Sequence, residues 1–597
     1  MTKHGLWLSG VLLCSVSPLI AQTDFEMMVE ERGLKNNVID LSGSNDVKIE
    51  EPQLAFVNFL DIATIPPSKH VTLKGYMEMY DGQGHYLKKP VTMAGQGGYS
   101  IRFPKRNFVC HFTDHEWNED NGPDLEIGEW VKQDAFHFKA FYTDFTRGIG
   151  EMGYKLFYEM VADRRPYWER GGYKKASKAR CFPDGFPCVV FLNGNFHGIY
   201  AWQLKKHRKN MNQKKELAEH IHLDGNLQDT YFFRGSISWS QFEVRTPKGL
   251  YTKYGTLYDG NSPTELIDEH CEAFNRDTDS APVVQAKQLT AAVKKHLVDI
   301  SHYWTELKSY EDNHASPEEM RREIEERYDT EGMIDYAVFH YFSQNGDGTL
   351  KNWQWFTYDG HRLTVTPYDL DQTFGIGLYG NLLPHYLPLE PLTSGPFYWL
   401  HRYYQDDIRD RYAEMRQKQI LDYDNIAAII SDWYERIGDD LYAMEQQRWQ
   451  NSPCYKDAVC NNGWEACELS DSTDYLSEDA VLYEQKREYR PGEVCWLEGR
   501  LWRATKTVKG VTPFVVNANR DSMERLLGWL EGRLDFLDAL FAYTPAAVDI
   551  PGFAPTAGKT RLVAIYTLSG MKVQTPIIGQ TYIFRYSDGT ARKVLVR

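Results

Sequence analysis

The sequence predicts an α+β fold, in which β-hairpins and amphipathic helices follow one another along the chain. Two hairpins are indicated by short apolar runs on either side of a tight-turn dipeptide, Asn193-Gly194 and Asp359-Gly360. Helices are indicated where apolar residues recur with the period of one buried helix face, as in residues 331–344. A chain of 597 residues is long enough for about two to four domains with substantial cores.

The first strand-rich region, between residues 54 and 112, contains a glycine-rich turn. Gly97 and Gly98 stand between two predicted strands, and Lys105 and Arg106 follow them. Backbone amides at such a turn can approach phosphate groups closely, while the two cations neutralise the phosphate charge. A plain β-turn beside solvent-facing basic residues is the commoner explanation of this pattern. We therefore treat the turn as a candidate phosphate contact only.

A strand followed by a helix is predicted between residues 134 and 162. The strand runs through Lys139. The helix opens near Asp144 and Thr146, whose side chains suit a helix N-terminus, and Arg147 is expected in its first turn.

Three further helices are predicted before the acidic part of the chain. The first is a long helix through residues 283–308. The second opens at Ser316, which is followed by a proline and two glutamates and so has the features of a helix start. The third helix, over 331–344, is stopped by Asn345-Gly346.

The hairpin after this third helix places polar residues at its open end. If the turn centres on Asp359-Gly360, Asn352 lies roughly opposite Pro367. The strand period of two then puts Asp369 and Asp371 on the same face as Asn352. One amide oxygen and two carboxylates are expected to converge there.

These residue types indicate a metal-dependent phosphotransfer site. Oxygen ligands from an Asn and an Asp suit Mg²⁺ better than zinc. Asp347 and Asn352 have the D-x-x-x-x-N spacing of a kinase catalytic loop, in which the acid accepts a hydroxyl proton and the Asn holds metal. The alternative is that Asn-Gly-Asp-Gly is an ordinary turn and that the paired acids cap a neighbouring helix.

The N-terminus has the features of an export signal. Residues 1–21 combine a basic start, an apolar stretch and a plausible cleavage site before Gln22, although a retained anchor is the alternative. No later segment is long and apolar enough for a transmembrane helix. The formal net charge of −16 argues against a nucleic-acid-binding protein.

The cysteines are compatible with an exported chain. Nine are present, and eight remain once Cys14 is removed with the signal. Cys181 and Cys188 flank a short Pro-Gly segment and could close it as a disulfide-bonded loop. The later cysteines lack the C-x-x-C pairs of a zinc module, so disulfides are favoured over metal there as well.

Five sequence blocks carry a family resemblance. They are G-G-Y-S-I-R-F-P-K-R, F-K-A-F-Y-T-D-F-T-R, V-V-F-L-N-G-N-F-H-G-I-Y, N-G-D-G-T-L-K-N and P-Y-D-L-D-Q-T-F-G. In this order they resemble the CotH family, which is named for a spore-coat protein H and regarded as atypical and kinase-like. The resemblance covers about Gln53 to Phe374, with a returning segment near Arg520–Phe541.

The resemblance implies an atypical two-lobed protein-kinase-like fold. It also implies an enzyme that binds ATP with Mg²⁺ or Mn²⁺ and phosphorylates Ser or Thr hydroxyls of a protein substrate. By position, Asp347 matches the catalytic Asp, Asn352 the metal Asn, and Asp369 or Asp371 the metal Asp.

The phosphate-binding lysine is left open by the resemblance. Lys105 matches the basic position after the first block, while Lys139 and Lys205 are the alternatives for the phosphate contact.

Two small β modules are predicted near the C-terminus. Residues 489–513 resemble chitin-binding carbohydrate modules, with Trp496 and Trp502 as candidate exposed sugar-stacking platforms; a plain β-hairpin with core tryptophans is the alternative. The tail resembles the C-terminal sorting domain of the type IX secretion system, and a generic small β-sandwich is the alternative.

These observations together predict an exported kinase, either on the bacterial cell surface or secreted through the periplasm. The rival is a non-catalytic surface scaffold that binds glycan on a kinase-like fold. The predicted divisions are a signal peptide (1–21), the kinase-like domain (50–450), a Cys-containing carbohydrate-binding-like module (451–515), a returning helix (516–544), a linker (545–560) and the sorting-like β domain (561–597).

Overall fold

The computed structural model describes residues 22–98, 100–164, 179–214, 217–224, 243–245, 251–252, 272–274, 284–288, 291–349, 352–377, 383–387, 392–393, 395–450, 452, 454, 463–466, 483–497, 500–511, 513, 522–544, 562–567, 581–586 and 591–595. The predicted signal peptide and the linker at 545–560 lie outside these residues.

The N-terminal part of the described chain is built from strands. They are β1 (Ile39–Asp40), β2 (Asp46–Ile49), β3 (Ala55–Leu60), β4 (Thr72–Tyr80), β5 (His85–Gln96), β6 (Asn107–Phe112), β7 (Asp124–Ile127), β8 (Ala135–Lys139), β9 (Gly185–Leu192), β10 (Asn195–Leu204) and β11 (Ile221–Asp224).

Seven of these strands close into a barrel. The ring order is β5, β4, β3, β9, β10, β8 and β6, and β6 pairs with β5 to close it. Only β3 and β9 pair in parallel within this ring. The α+β class is confirmed, whereas the two-lobed arrangement stays a prediction and the closed barrel was not predicted at all.

Strand alternation gives the barrel wall two different faces. On β8, Phe136 and Phe138 belong to the barrel interior, whereas Lys139 reaches a residue outside the barrel. On β9, Cys188 and Val190 point into the interior, and Val189 packs in a second core. Because successive residues of a strand face opposite sides, one stretch serves both cores.

The helices form this second core against the outside of the barrel. They are α1 (Asp24–Glu31), α2 (Ile149–Asp163), α3 (Ala291–Asp312), α4 (Pro317–Arg327), α5 (Thr330–Ser343), α6 (Phe397–Tyr403), α7 (Gln405–Gln417), α8 (Tyr423–Ile437), α9 (Asp439–Arg448) and α10 (Ser522–Leu540). None of the helices in the described ranges is long and apolar enough to cross a membrane.

Six further strands accompany the helices: β12 (Glu243–Arg245), β13 (Tyr251–Thr252), β14 (Glu272–Phe274), β15 (Val284–Gln288), β16 (Trp353–Thr357) and β17 (Thr364–Pro367). Four of them form a second sheet with β11, in the order β13, β12, β11, β16 and β17.

Two helix starts differ from the prediction. Residues 284–288 form β15, which pairs with β14, and α3 begins only at Ala291. Arg147 lies before α2 with φ of +58°, and Asp144 Oδ2 accepts hydrogen bonds from the backbone N–H groups of residues 148 and 149 at 2.9 and 2.8 Å. The Asp144 carboxylate therefore binds N–H groups at the start of the helix, but the N-cap residue is Gly148, and both Asp144 and Arg147 stand before the first turn.

The appended modules are described in part. Their strands are β18 (Trp464–Ala466), β19 (Glu488–Tyr489), β20 (Val494–Leu497), β21 (Arg500–Ala504), β22 (Val508–Lys509), β23 (Leu562–Thr567), β24 (Thr581–Tyr586) and β25 (Ala591–Leu595). Trp502 is 4% exposed in a small core with Trp464 and Tyr489. The prediction that Trp502 is an exposed sugar platform is therefore wrong, because its ring fills the module's own core.

The predicted Cys181–Cys188 disulfide is also absent. Neither cysteine forms a disulfide within the described part of the chain, and both side chains are buried. Cys188 faces the barrel interior and Cys181 packs in the helical core, so the barrel wall separates the two side chains. No disulfide joins Cys454 or Cys495 to another described cysteine.

Candidate functional site

The loop that carries Asp347 begins where α5 ends. Gln344 has the left-handed φ of +54° and its backbone N–H closes the last helical hydrogen bond onto His340. A single 3₁₀ turn, Gly346–Thr349, follows. It is held from within, since the Gly348 N–H donates to Asn345 Oδ1 at 3.1 Å. The end of the helix therefore presents Asp347 on a short, internally bonded loop.

Asn352 joins this loop to the hairpin. Its backbone φ is +59°, and its Nδ2 donates to Asp347 Oδ2 at 3.2 Å. The carbonyl of Asn352 accepts a hydrogen bond from the Tyr368 N–H at 2.9 Å. The register is thus shifted by one residue from the predicted one: Trp353, and not Asn352, pairs with Pro367.

Asp369 follows the hairpin and leaves the strand. Its φ is +55°, so the period of two ends at Pro367 and does not place this acid. Instead the hydroxyl of Tyr154, on α2, accepts a hydrogen bond from the Asp369 N–H at 2.9 Å. Farther on, Gln372 Nε2 donates to Asp347 Oδ2 at 3.1 Å. The segment 369–372 therefore meets the Asp347 loop through side-chain contacts.

Lys139 lies on the barrel wall and faces this segment. Its Nζ is 3.2 Å from Asp369 Oδ1, and its side chain is 5% exposed. Burial by itself lowers the pKa of Lys139, but Asp369 and Asp371 outweigh burial and raise that pKa above its usual value. The ammonium group is consequently charged and held against the carboxylate.

Further cations surround Lys139. Lys206 Nζ lies 4.7 Å from the ring centroid of Tyr368, and Lys139 Nζ lies 5.7 Å from it. Burial holds the pKa of His137 well below its usual value, and Lys139, Lys205 and Lys206 lower it further. This face of the barrel therefore carries a concentrated positive charge next to the acids.

Lys105 has a different environment. Its ammonium group is fully buried, 2.7 Å from Glu445 Oε1, and also donates to the Ile199 carbonyl. Arg147 Nε binds the same Glu445 oxygen at 2.8 Å. Burial lowers the pKa of Lys105 to about 7, with Glu445 raising it and Arg147 lowering it. Lys105 is thus engaged by the protein itself.

The remaining predicted phosphate contacts are Lys205, Gly97 and Gly98, and none of them lines the cleft described in the next paragraph. Lys205 Nζ is 3.4 Å from His111 Nε2. Gly97 has φ of +116°, and a Cβ there would meet Ser100 Oγ at 2.3 Å, so the turn requires glycine. Ser100 lines the cleft described next, whereas Gly97 and Gly98 are not among its lining residues.

A shallow cleft brings four of these groups together. Lys105, Lys139, Asp369 and Asp371 all line it. The other lining residues are Ser100, Phe103, Asn107, Phe141, Tyr142, Thr143 and Asp144. The rings of Phe103 and Tyr142 lie 5.4 Å apart at 34° and give the cleft an aromatic wall. Charged and aromatic surfaces thus share one cavity.

The donor set fits a magnesium ion that is bound together with a phosphate ligand. Within the described part of the chain, no group of three or more His, Cys, Asp or Glu side chains is arranged to hold a metal unaided. Mg²⁺ usually takes one or two carboxylates, waters and substrate phosphates in place of an all-protein cage. Asn352, Asp369 and Asp371 offer only oxygen ligands of that kind.

Comparison with known protein families gives a match to this chain. The sequence model of a family described as CotH kinase protein matches residues 94–478, which is more than half of the chain. The chain belongs to the CotH kinase family. No curated protein sequence matches it. Membership indicates a kinase-like phosphotransferase, and the matched segment contains all of the site residues named above.

Several contacts of this CotH site were missed from the sequence. Gln372 stands between the acids and Phe374 in a block that was recognised, so its position was visible although its bond to Asp347 was not. Lys206 is the neighbour of the predicted Lys205, and its Nζ lies 4.7 Å from the ring centroid of Tyr368. Tyr154 gives no local signal, because only the packing of α2 brings its hydroxyl to Asp369.

Proposed function

We propose that this CotH family member is an exported protein kinase that transfers phosphate from ATP to Ser or Thr hydroxyls. The observation that carries the proposal is a connected set of contacts. Asp347 is bonded to Asn352 and Gln372, and the segment that bears Gln372 also bears Asp369, which holds Lys139. Along the chain the proposed cation precedes the proposed base, metal-ligand amide and metal-ligand acid, which is the order of these groups in protein kinases.

Asp347 is the general base of the proposed reaction. It is partly exposed on its loop, and two amide groups hold one carboxylate oxygen. Both amides donate to Oδ2 and so fix the orientation of the carboxylate that would receive the proton of the incoming hydroxyl. Asp347 then orients that hydroxyl oxygen toward the phosphorus atom and takes its proton during the transfer.

Asn352, with Asp369 or Asp371, would hold Mg²⁺ or Mn²⁺. A bound divalent ion would neutralise charge on the phosphate oxygens. The left-handed backbone at both Asn352 and Asp369 is a strained conformation that the surrounding contacts maintain, as is common at functional sites.

Lys139 is the phosphate-binding cation in this proposal. It lines the cleft beside Asp369 and carries its charge there. Lys105 lines the same cleft, but Glu445 and a carbonyl group already occupy its ammonium. Lys206 adds charge near Tyr368. The aromatic wall formed by Phe103 and Tyr142 offers a stacking surface for the base of the nucleotide.

The protein substrate and the site of action follow from the sequence features only. A signal at 1–21 and a sorting-like tail at 561–597 support export to the bacterial surface or secretion. ATP is scarce outside the cytoplasm, so we propose that the enzyme acts during transit or uses another phosphoryl donor. Trp502 is buried, so one of the two tryptophans that favoured a glycan-binding scaffold is removed as a sugar-stacking platform.

The proposal is tested with the purified mature chain, radiolabelled ATP, Mn²⁺ and a generic Ser/Thr protein substrate. Asp347→Asn should lower transfer by about 10²- to 10⁴-fold, as expected for loss of a general base. It should leave Mn²⁺ binding, read by electron paramagnetic resonance in the presence of ATP, intact. Asp369→Asn should weaken that binding, and Asp371→Asn shows which of the two acids is the stronger ligand.

The matched control is Asp359→Asn, at the opposite end of the same hairpin. It should retain wild-type transfer. A wild-type chain that binds neither ATP nor Mn²⁺ and transfers no label would refute the kinase and leave the scaffold.

A further inference from the structure

The end of α5, just before the Asp347 loop, is stabilised from outside the matched family segment. The last four carbonyl groups of a helix have no partner within it and must find one elsewhere. Here the His340 carbonyl accepts from the cap, and the Ser343 carbonyl accepts from the Phe374 N–H at 2.6 Å. Those of Tyr341 and Phe342 are bound by Arg533 of α10.

Arg533 is fully buried and its guanidinium is directed at carbonyl groups. Nε donates to Tyr341 at 3.1 Å and to Phe342 at 3.3 Å, and Nη2 also donates to Tyr341. Nη1 donates to the carbonyls of His385 and Leu387 at 2.6 and 2.8 Å. A cation at the C-terminus of a helix is also favoured by the helix dipole. Arg533 thus joins α5 to the segment 383–387.

The residue after α5 repeats this connection. Gln344 Nε2 donates to the carbonyls of Pro384 and Leu387 at 2.7 and 3.2 Å. Gln344 is three residues from Asp347. The segment 383–387 is therefore bonded both to Arg533 and to the start of the loop that bears the proposed base.

Trp529 lies one turn before Arg533 on α10, and it contacts the segment that follows Asp369 and Asp371. Its Nε1 donates to the Leu383 carbonyl at 3.1 Å, and its ring lies against Gly375, where a Cβ would meet Nε1 at 2.4 Å. The Leu383 N–H in turn donates to the Gly375 carbonyl at 2.7 Å. Trp529 and Arg533 are four residues apart and so lie on the same face of α10. This face contacts both the end of α5, which leads to Asp347, and Gly375, which follows the two acids.

We propose that α10 is a working part of the phosphotransfer site and that Arg533 is a positioning residue, which sets the place of the Asp347 loop. The helix spans 522–540, whereas the family match ends at 478. The expected effect on kcat rests on the proposed function, whereas the expected stabilisation of the Asp347 loop does not. Arg533 is not among the residues that line the cleft, and it acts through the C-terminus of α5.

The test uses Arg533→Lys, which keeps the charge and removes the forked geometry that spans two segments. Amide hydrogen exchange should become at least tenfold faster in residues 341–348 and 383–387. The kcat for phosphate transfer should fall at least tenfold, with the KM for ATP and the Mn²⁺ affinity within twofold of wild type. If Arg533→Lys only destabilised the fold, the fraction of active protein would fall, whereas the exchange rates of residues 341–348 would stay unchanged.

The matched control is Arg411→Lys. Arg411 is also fully buried and contacts the same helix α5, through Asp335 at 2.7 Å, but two turns before its end. It should lower the melting temperature without faster exchange at 341–348 and without a fall in kcat.

The outcomes separate the two proposals. Unchanged exchange and kcat in Arg533→Lys, or equal effects in Arg411→Lys, would overturn the positioning role. If the wild-type chain has no activity but Arg533→Lys, unlike Arg411→Lys, speeds amide exchange in residues 341–348, the kinase is refuted while the mechanical role of α10 is supported.

Discussion

The buried triad of Lys105, Arg147 and Glu445 predicts an unusual dependence of stability on pH. One carboxylate faces two cations there, so the triad carries a net positive charge as long as Lys105 is protonated. Burial disfavours that charge and lowers the pKa of Lys105 from 10.5 to about 7. The folded chain therefore releases this proton at a far lower pH than the unfolded chain.

The sign follows from counting protons. Between pH 7 and 10.5 the unfolded chain binds one more proton at Lys105 than the folded chain, so the free energy of unfolding rises with pH. Below pH 7 both states hold the proton and this slope vanishes. At 1.36 kcal/mol per pH unit, the pKa difference corresponds to about 5 kcal/mol over the whole window. Between pH 7 and 9 the expected gain is about 2 kcal/mol.

Urea unfolding of wild type and Lys105→Met at pH 7, 8 and 9 measures this gain. The difference between their free energies of unfolding cancels the contributions of the other titrating groups, because both chains share them. The stability of wild type relative to the variant should increase by about 2 kcal/mol from pH 7 to 9. Lys155→Met, at a lysine whose side chain is 53% exposed, should track wild type instead. A wild-type advantage that does not change with pH would refute the argument and show that Lys105 keeps its proton in the fold.

Three further predictions concern other contacts. Gln372→Ala should lower kcat about tenfold in single-turnover assays without changing ATP affinity, since one hydrogen bond to Asp347 is worth about 1.4 kcal/mol; an unchanged kcat would contradict it. Gly375→Ala should lower the melting temperature by several degrees in calorimetry, because φ is +76° there and the added Cβ meets Trp529; an unchanged melting temperature would argue against this close contact. Alkylation under denaturing, non-reducing conditions should label both Cys181 and Cys188, whereas protection of both would indicate a disulfide.

Local signals in the sequence predicted the elements around the site but not the closed barrel. The Asn193-Gly194 turn and the helix over 331–344 are present, because turn dipeptides and helical periodicity act over a few residues. Barrel closure depends on the pairing of β5 with β6 and of β3 with β9, and the latter joins strands more than 120 residues apart. No pattern within one segment reports such a pairing.

The candidate site shows the same limit at the scale of single residues. The order of Asp347, Asn352 and Asp369 was visible, since it is a spacing along the chain. The register was wrong by one residue, because the turn between the strands is longer than a two-residue Asp-Gly turn. Lys139 could not be preferred over Lys105 from the sequence, because only the fold gives one lysine Asp369 as a partner and the other Glu445.

The two lysines show how the barrel and the helices cooperate at the cleft. Lys139 projects from β8, and Lys105 just precedes β6, so the barrel side contributes both cations. Their partners come from the helical side: Glu445 from α9 and Asp369 from the segment after β17. Each ion pair therefore crosses the boundary between the two cores. A change in the packing of the helices against the barrel would move Asp369 relative to Lys139, so the cleft depends on that boundary for its geometry.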